Sequence, residues 1–236
     1  MKTRLLALTL LTLPLFAMAD EPAPPTRSLD VSGVTAVRIV GEASAIALTT
    51  AEGEPFVATL GGKRTGWFAN WYSNWFYNDC RTSSRMDVEG TTLTVEARPS
   101  SWLEPSDCRV ELAANLAKGV SVAVEQAASQ VRLAGDFTAL SLDAKAADFA
   151  LDGHAVSIRL KGDALRSTLA FDRTDGNETI AVDAHSLDLS LGFAPGTRIS
   201  YDVDAKAAMV DSALPNTAGA KPSIAIKGAF VRAAIR

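Results

Sequence analysis

The sequence predicts an all-β protein, a short single-domain parallel β-solenoid (β-helix) with one short aromatic helical insert. From residue 120 onward, segments such as VSVAV (120–124) and LDLSLG (187–192) alternate apolar and polar residues, the period of a strand with one buried face. These segments recur at intervals of about twenty residues, a period typical of units that bury their apolar face only by stacking on their neighbours. Successive units begin at Val120, Leu140, Ile158, Ile180 and Ile199.

An antiparallel sandwich is the alternative architecture. Its tight hairpins would need Asn-Gly or Asp-Gly turns at regular places, and Asp-Gly occurs only at 152–153 and 175–176. The corners between strands instead carry Ala, Gly, Asp and Lys, as in AKAAD (144–148) and KGDA (161–164). The pattern therefore favours the solenoid.

The N-terminal residues 1–19 predict a cleaved secretory signal peptide. A basic start precedes an apolar run at 5–16, and small residues allow cleavage after Ala19. The run is short for a membrane span and contains Pro14, which argues against a retained anchor. We therefore expect a periplasmic or secreted protein that begins with a Pro-rich linker at 20–28.

Residues 29–236 form the predicted β-solenoid domain. Its first part shows the same alternation in VTAVRIVG (34–41), SAIALTT (44–50) and FVATLG (56–61). The segment MDVEGTTLTVEA (86–97) predicts a strand, a turn and a second strand.

The two cysteines, Cys80 and Cys108, predict a disulfide. An even cysteine count in an exported chain favours pairing. A disulfide that closes the loop between Cys80 and Cys108 would stabilise the fold by roughly 3–4 kcal/mol. A metal site at these residues is not expected, because neither lies in a CxxC motif or near a histidine.

The segment 66–80, GWFANWYSNWFYNDC, is the aromatic insert. Its large aromatic residues recur as adjacent pairs every four positions, which places them on one half of a helix and the small polar residues on the other. The pattern predicts a short amphipathic helix that must pack on something, because about eleven residues do not hold a helix alone. The candidate binding surface is Trp67, Phe68, Trp71, Tyr72, Trp75 and Phe76.

Three interpretations of this aromatic face stay open. The face can cap one end of the solenoid and hide its apolar side chains. It can serve as a platform from Trp67 to Tyr77 that binds a carbohydrate or a protein partner. It can also contact a membrane surface, with Lys63 and Arg64 supplying positive charge beside it.

The order of segments resembles a known bacterial family. VTAVRIVGEASAIALTTAEGE, then DVEGTTLTVEA, then CRVELAANLAKGVSVAVEQAASQVRLAGDFTALSLDAKAADFALDG is similar to the "putative adhesin" family, exported proteins with a GIN-type or autotransporter-head β-solenoid. The resemblance covers residues 29–236 and implies a β-solenoid with an adhesive role. The chain departs from the family in the insert at 66–80 and in its alanine-rich corners.

Motifs of known enzymes are absent from the sequence. It contains no GxSxG, P-loop, HExxH or Rossmann glycine pattern, and the calcium nonapeptide repeat is missing. His185 and Asp183 lie close enough to suggest a metal or acid–base pair, but exposed corner positions are the favoured interpretation for both His154 and His185. We expect no catalytic residues, no metal and no cofactor.

The sequence therefore predicts a non-catalytic exported envelope protein, adhesin-like or a scaffold, whose β-solenoid surface binds an envelope protein or glycan. The net charge of −4 and the lack of a basic patch exclude nucleic acid as the expected partner. The alternatives are a polysaccharide-active β-helix enzyme, or a carbohydrate- or membrane-surface module that uses the Trp67–Tyr77 face. Two aspartates and a basic residue meeting in one groove would favour the enzyme.

Overall fold

A computed structural model describes residues 26–64, 80, 82–98 and 108–236. Within these ranges the chain forms ten β-strands and no helix. The strands are β1 (Arg27–Asp30), β2 (Ala36–Thr49), β3 (Val57–Arg64), β4 (Arg85–Glu89), β5 (Thr92–Ala97), β6 (Cys108–Asn115), β7 (Val120–Phe171), β8 (Thr179–Gly192), β9 (Ser200–Ser212) and β10 (Ser223–Ile235). The all-β prediction is confirmed for these ranges.

All ten strands belong to one mixed sheet. Its main path runs β1-β3-β6-β2-β7-β8-β10-β9, while β4 pairs with β5 and β5 also pairs with β2. Pairing is parallel from β6 through β2, β7, β8 and β10 to β9, and antiparallel for β1–β3, β3–β6 and β4–β5. The solenoid prediction required parallel pairing throughout, and the mixed sheet does not meet that requirement. Strands β4 and β5 pair antiparallel because a two-residue connection is too short to join parallel strands.

Strand β7 is 52 residues long, and different parts of it face different neighbours. Residues 121–134 pair with β2, whereas residues 157–170 pair with β8. Its middle part approaches its own flanks, with the backbone of Gly153 against Gly135 and that of Gly162 against Ala144. Lys161 Nζ likewise lies 3.5 Å from Asp143 Oδ2, 18 residues earlier. Successive parts of β7 therefore lie side by side.

The apolar residues of the alternating segments form the core. In-register pairing sets Ile158 beside Ile180 and Leu160 beside Val182. Because equivalent positions then face the same way, their side chains pack in rows. Six apolar residues near the starts of successive units are all buried, at no more than 3% exposure: Leu140, Leu142, Ile158, Leu160, Ile180 and Val182.

The last three strands do not follow the predicted order. The unit beginning at Ile199 was expected beside the unit beginning at Ile180, but β10 lies between β8 and β9. Ile224 and Ile226 of β10 are buried against Ile180 and Val182, so the more apolar strand takes the inner position. Strand β9, with its partly exposed inward row, forms the edge.

Candidate functional site

The predicted aromatic surface lies outside the described residues. Trp67, Phe68, Trp71, Tyr72, Trp75 and Phe76, together with the predicted helix, therefore stay predictions. The predicted disulfide is confirmed, because Cys80 and Cys108 are bonded with their Cα atoms 5.9 Å apart. Cys80 N donates to Gly62 O at 3.0 Å, so the bridge fastens the end of the insert to β3 and β6.

A groove of about 720 Å³ crosses the parallel part of the sheet. Its floor is made by small side chains from successive segments: Ala43, Ala128, Ala146, Ala164 and Ser186. Ala43 is in register with Ala128, and Ala164 with Ser186. With strands about 4.8 Å apart, such a row extends across roughly 20 Å. The alanines leave an elongated depression where larger residues would fill the surface.

An aromatic side chain continues this row at one end. Phe230 is in register with Ser186, and it is 59% exposed, an unusual degree for a large apolar side chain. The exposed His185 packs edge-on against it with ring centroids 5.7 Å apart. His185 is thus at the surface, as the sequence predicts. The floor of the groove therefore leads toward an accessible aromatic face.

The rim of the groove carries both signs of charge. Asp148 Oδ2 accepts a hydrogen bond from Arg132 at 2.7 Å, and Asp188 lies 3.9 Å from Arg166. Arg109, at the end of the groove next to Cys108, donates to Gln130. Asp148, Asp188, Arg109 and Arg166 thus line one groove, an arrangement that the sequence pattern did not locate. Each aspartate already faces an arginine.

A buried hydroxyl also lines the groove. Ser129 is 8% exposed, and its Oγ has no hydrogen-bond partner among the described residues. Ser44 beside it donates to Gln126 Oε1 at 3.0 Å, while the Gln126 Nε2 has no partner there either. An unpaired buried polar group costs about 1–3 kcal/mol.

A separate polar cluster forms where the loop after β7 folds over His154. His154 Nε2 lies 3.1 Å from Glu178 Oε1 and 3.5 Å from Asp175 Oδ2. The prediction of an exposed corner position is wrong for His154, which is 3% exposed, while Glu178 is 0% exposed. Asp172 N donates to Gly153 O at 3.1 Å, which draws the loop over the histidine. A sequence pattern cannot show this, because the contacts join residues on two elements.

The carboxylate of Glu178 is held in its charged form. Burial acts to raise its pKa, but hydrogen bonds from the backbone N–H groups of Asp175 and Gly176 and from His154 outweigh burial and lower the pKa. The same loop supplies Arg173, whose guanidinium lies 3.4 Å from His154 Nδ1. Glu178 therefore fastens the loop as an anion.

Arg173 connects this cluster to a second group of charges. Its NH1 donates to Asp136 Oδ1 at 2.5 Å, and Lys118 lies 3.6 Å from the same carboxylate and 2.8 Å from Glu52. Burial acts to raise the pKa of Asp136, but Arg173 and Lys118 together hold it below its ordinary value. The loop 172–178 is thus joined to the turns beside β2 and β7.

The chain resembles solved structures only at low sequence identity and low TM-score. No protein-family model and no curated protein matches the chain. A "putative cell adhesion protein" from Clostridium sporogenes is 9% identical with a TM-score of 0.37, covering 89% of this chain and 98% of its own. A "putative lipid binding protein" from Parabacteroides distasonis is 12% identical with a TM-score of 0.33, covering 92% and 98%. A "putative adhesin" from Bacteroides fragilis is 11% identical with a TM-score of 0.29, covering 89% and 95%.

Within the described ranges, the chain has no helix that is long and apolar enough to cross a membrane.

Proposed function

We propose that this chain is an exported, non-catalytic envelope protein, adhesin-like or a scaffold, that binds its partner along the groove between Arg109 and Phe230. The observation that carries the proposal is the groove itself. A floor of small side chains, an accessible aromatic ring and a rim of both charges together suit an elongated ligand with polar and apolar parts. Export rests on the predicted signal peptide at 1–19, with the mature chain in the periplasm or outside the cell.

We further propose that strands β2, β7, β8, β10 and β9 form a short parallel β-solenoid. The parallel in-register pairing and the approach of β7 to itself support this architecture. A solenoid repeats the same corner at each turn, so that one alanine per turn produces a continuous groove. The binding surface then follows directly from the repeat.

The ion pairs on the rim favour binding over catalysis. Asp148 and Asp188 face Arg132 and Arg166, so their charges are matched before any ligand arrives. Exposed pairs of this kind contribute only about 0–1 kcal/mol to stability, and a ligand can exchange them cheaply for its own polar groups. The rim therefore serves recognition of a ligand better than proton transfer.

Filling the groove tests the proposal. Ala164 is an exposed residue of the floor, whereas Ala170 is exposed on the same strand and does not line the groove. We expect Ala164→Trp to weaken binding about tenfold or more on arrays of envelope oligosaccharides and purified envelope proteins. Ala170→Trp should bind as the wild type does. Equal binding by both variants, or no ligand on either array, would contradict the proposal.

A polysaccharide-cleaving enzyme is the second candidate, because two aspartates and two arginines do meet in the groove. Paired carboxylates on either side of a glycosidic bond are the usual arrangement for its hydrolysis. We expect no release of reducing ends from acidic polysaccharides by the wild type. Release that Asp188→Asn abolishes would establish the enzyme in place of the binding protein.

A carbohydrate- or membrane-surface module using the Trp67–Tyr77 face remains a separate prediction. Trp71→Ala distinguishes it from a cap, because a binding face would lose its ligand with little change in melting temperature.

A further inference from the structure

We propose that His154, Asp175 and Glu178 form a binding site for a divalent cation of the zinc type. The three residues belong to β7 and to the loop that follows it, and they converge although 24 residues separate the histidine from the glutamate. Their ligand atoms all lie within 4.8 Å of one another. Among the described residues, this is the group whose spacing suits a metal ion.

The two distances from the histidine nitrogen suit a small tetrahedral ion. Zinc binds imidazole nitrogen and carboxylate oxygen at about 2.0–2.2 Å, which places neighbouring ligand atoms about 3.3–3.6 Å apart. The nitrogen Nε2 of His154 lies 3.1 Å from Glu178 Oε1 and 3.5 Å from Asp175 Oδ2. One nitrogen and two carboxylate oxygens leave a fourth position for water or another ligand.

The burial of the three residues suits an ion that enters from solvent. His154 and Glu178 are almost fully buried, and their positions are set by the surrounding backbone. Gly176 N donates to Glu178 Oε2 at 3.1 Å, the kind of outer hydrogen bond that orients a carboxylate ligand. Asp175, in contrast, has a side chain that is 53% exposed, so it provides the entrance.

The charge of the surroundings favours a cation. The connected ion pairs around the loop contain five carboxylates, from Glu52, Asp136, Asp172, Asp175 and Glu178, against the two basic side chains of Lys118 and Arg173. Three negative charges of this network are therefore unmatched by basic side chains among the described residues. A divalent ion would reduce this excess at the point where two carboxylates already face a histidine.

Arg173 is the group that competes with such an ion. Its guanidinium lies 3.8 Å from Asp175 and 3.4 Å from His154 Nδ1. A metal bound at Nε2 replaces the hydrogen bond that this nitrogen donates to Glu178, and it requires the ring proton on Nδ1, where the proton would face the Arg173 N–H groups. Binding of the ion therefore has to displace Arg173 toward Asp136, its other partner at 2.5 Å.

The experiment is a calorimetric titration of the untagged mature protein with ZnCl₂, with CaCl₂ and MgCl₂ as comparisons. We expect one saturable zinc site per chain and little binding of calcium or magnesium. His154→Gln should weaken zinc about tenfold or more. His185→Gln, which changes the other histidine, should leave the zinc affinity unchanged.

Two further variants keep the test decisive if His154→Gln folds poorly. Asp175→Asn changes an exposed ligand and should weaken zinc about tenfold while the melting temperature of the metal-free protein stays the same. Arg173→Ala should bind zinc more tightly than the wild type, since the competing cation is gone. A wild type without saturable zinc binding below about 1 mM would overturn the proposal. Unchanged affinity in Asp175→Asn or loss of affinity in His185→Gln would do so as well.

Discussion

The role of single residues in this protein depends on the contacts that its loops create. Glu178 stands in the sequence as one more acidic residue, yet its carboxylate is buried and accepts hydrogen bonds from the Asp175 and Gly176 backbone and from His154. The same loop turns a histidine expected at the surface into a buried one. The polar character of both residues was visible in the sequence, but their mutual contact was not.

The lowered pKa of Glu178 predicts a pH dependence of stability. Because the folded-state pKa lies below the unfolded value of about 4.3, the contribution of Glu178 is complete above that pH and is lost as the pH falls through the folded pKa. We expect Glu178→Gln to destabilise the fold by about 2 kcal/mol at pH 7, with the difference from wild type shrinking below about pH 4. Melting curves from pH 3 to pH 7 measure the stability difference between Glu178→Gln and the wild type. The exposed-site variant Glu42→Gln serves as the control. A difference independent of pH would contradict the ionic role of Glu178.

At the scale of an element, β7 depends on glycines where two of its parts come together. Gly153 has φ of 139°, and a Cβ there would collide with the carbonyl oxygen of Gly135. Gly53, in the turn after β2, has φ of 81° and open space around it. Both need a left-handed conformation, but only Gly153 also needs the absence of a side chain.

Alanine at these two glycines separates the two requirements. We expect Gly53→Ala to cost about 1 kcal/mol, the price of a left-handed conformation alone. Gly153→Ala adds a collision with backbone and should cost about 3 kcal/mol or more. Urea unfolding of both variants gives the free energies. Equal costs would mean that β7 does not approach itself as closely as described.

For the whole molecule, stability comes from rows of apolar side chains that run across the strands. Leu160 is 2% exposed and is in register with Val182, which is in turn in register with Ile226 of β10. The polar cluster and the groove are both attached to this core. Damage to a row should therefore spread to every part of the described fold.

A buried charge in the row tests this dependence. Leu160→Asp would place an unpaired carboxylate among apolar side chains, which is expensive enough to unfold the domain. Thr168→Asp introduces the same charge at an exposed position of the same strand and should change stability by no more than about 0.5 kcal/mol. Circular dichroism and thermal melts of both proteins give the result. A cooperative melt of Leu160→Asp near that of wild type would show that the row does not carry the fold.

The alternation in the sequence was sufficient to predict the all-β fold of the described residues, the buried side of most strands and the hairpin at 86–97, because burial on one face of a strand leaves a period of two. The cysteine count was likewise sufficient for the disulfide between Cys80 and Cys108.

The position of β10 between β8 and β9 was decided only by the tertiary structure. Both β9 and β10 carry acceptable alternation, and the more apolar β10 takes the inner place. The groove and the cluster around His154 also belong to the tertiary structure. They join residues from separate turns and loops, and the physical reason is that contact across strands depends on register and loop path, which a local pattern does not contain.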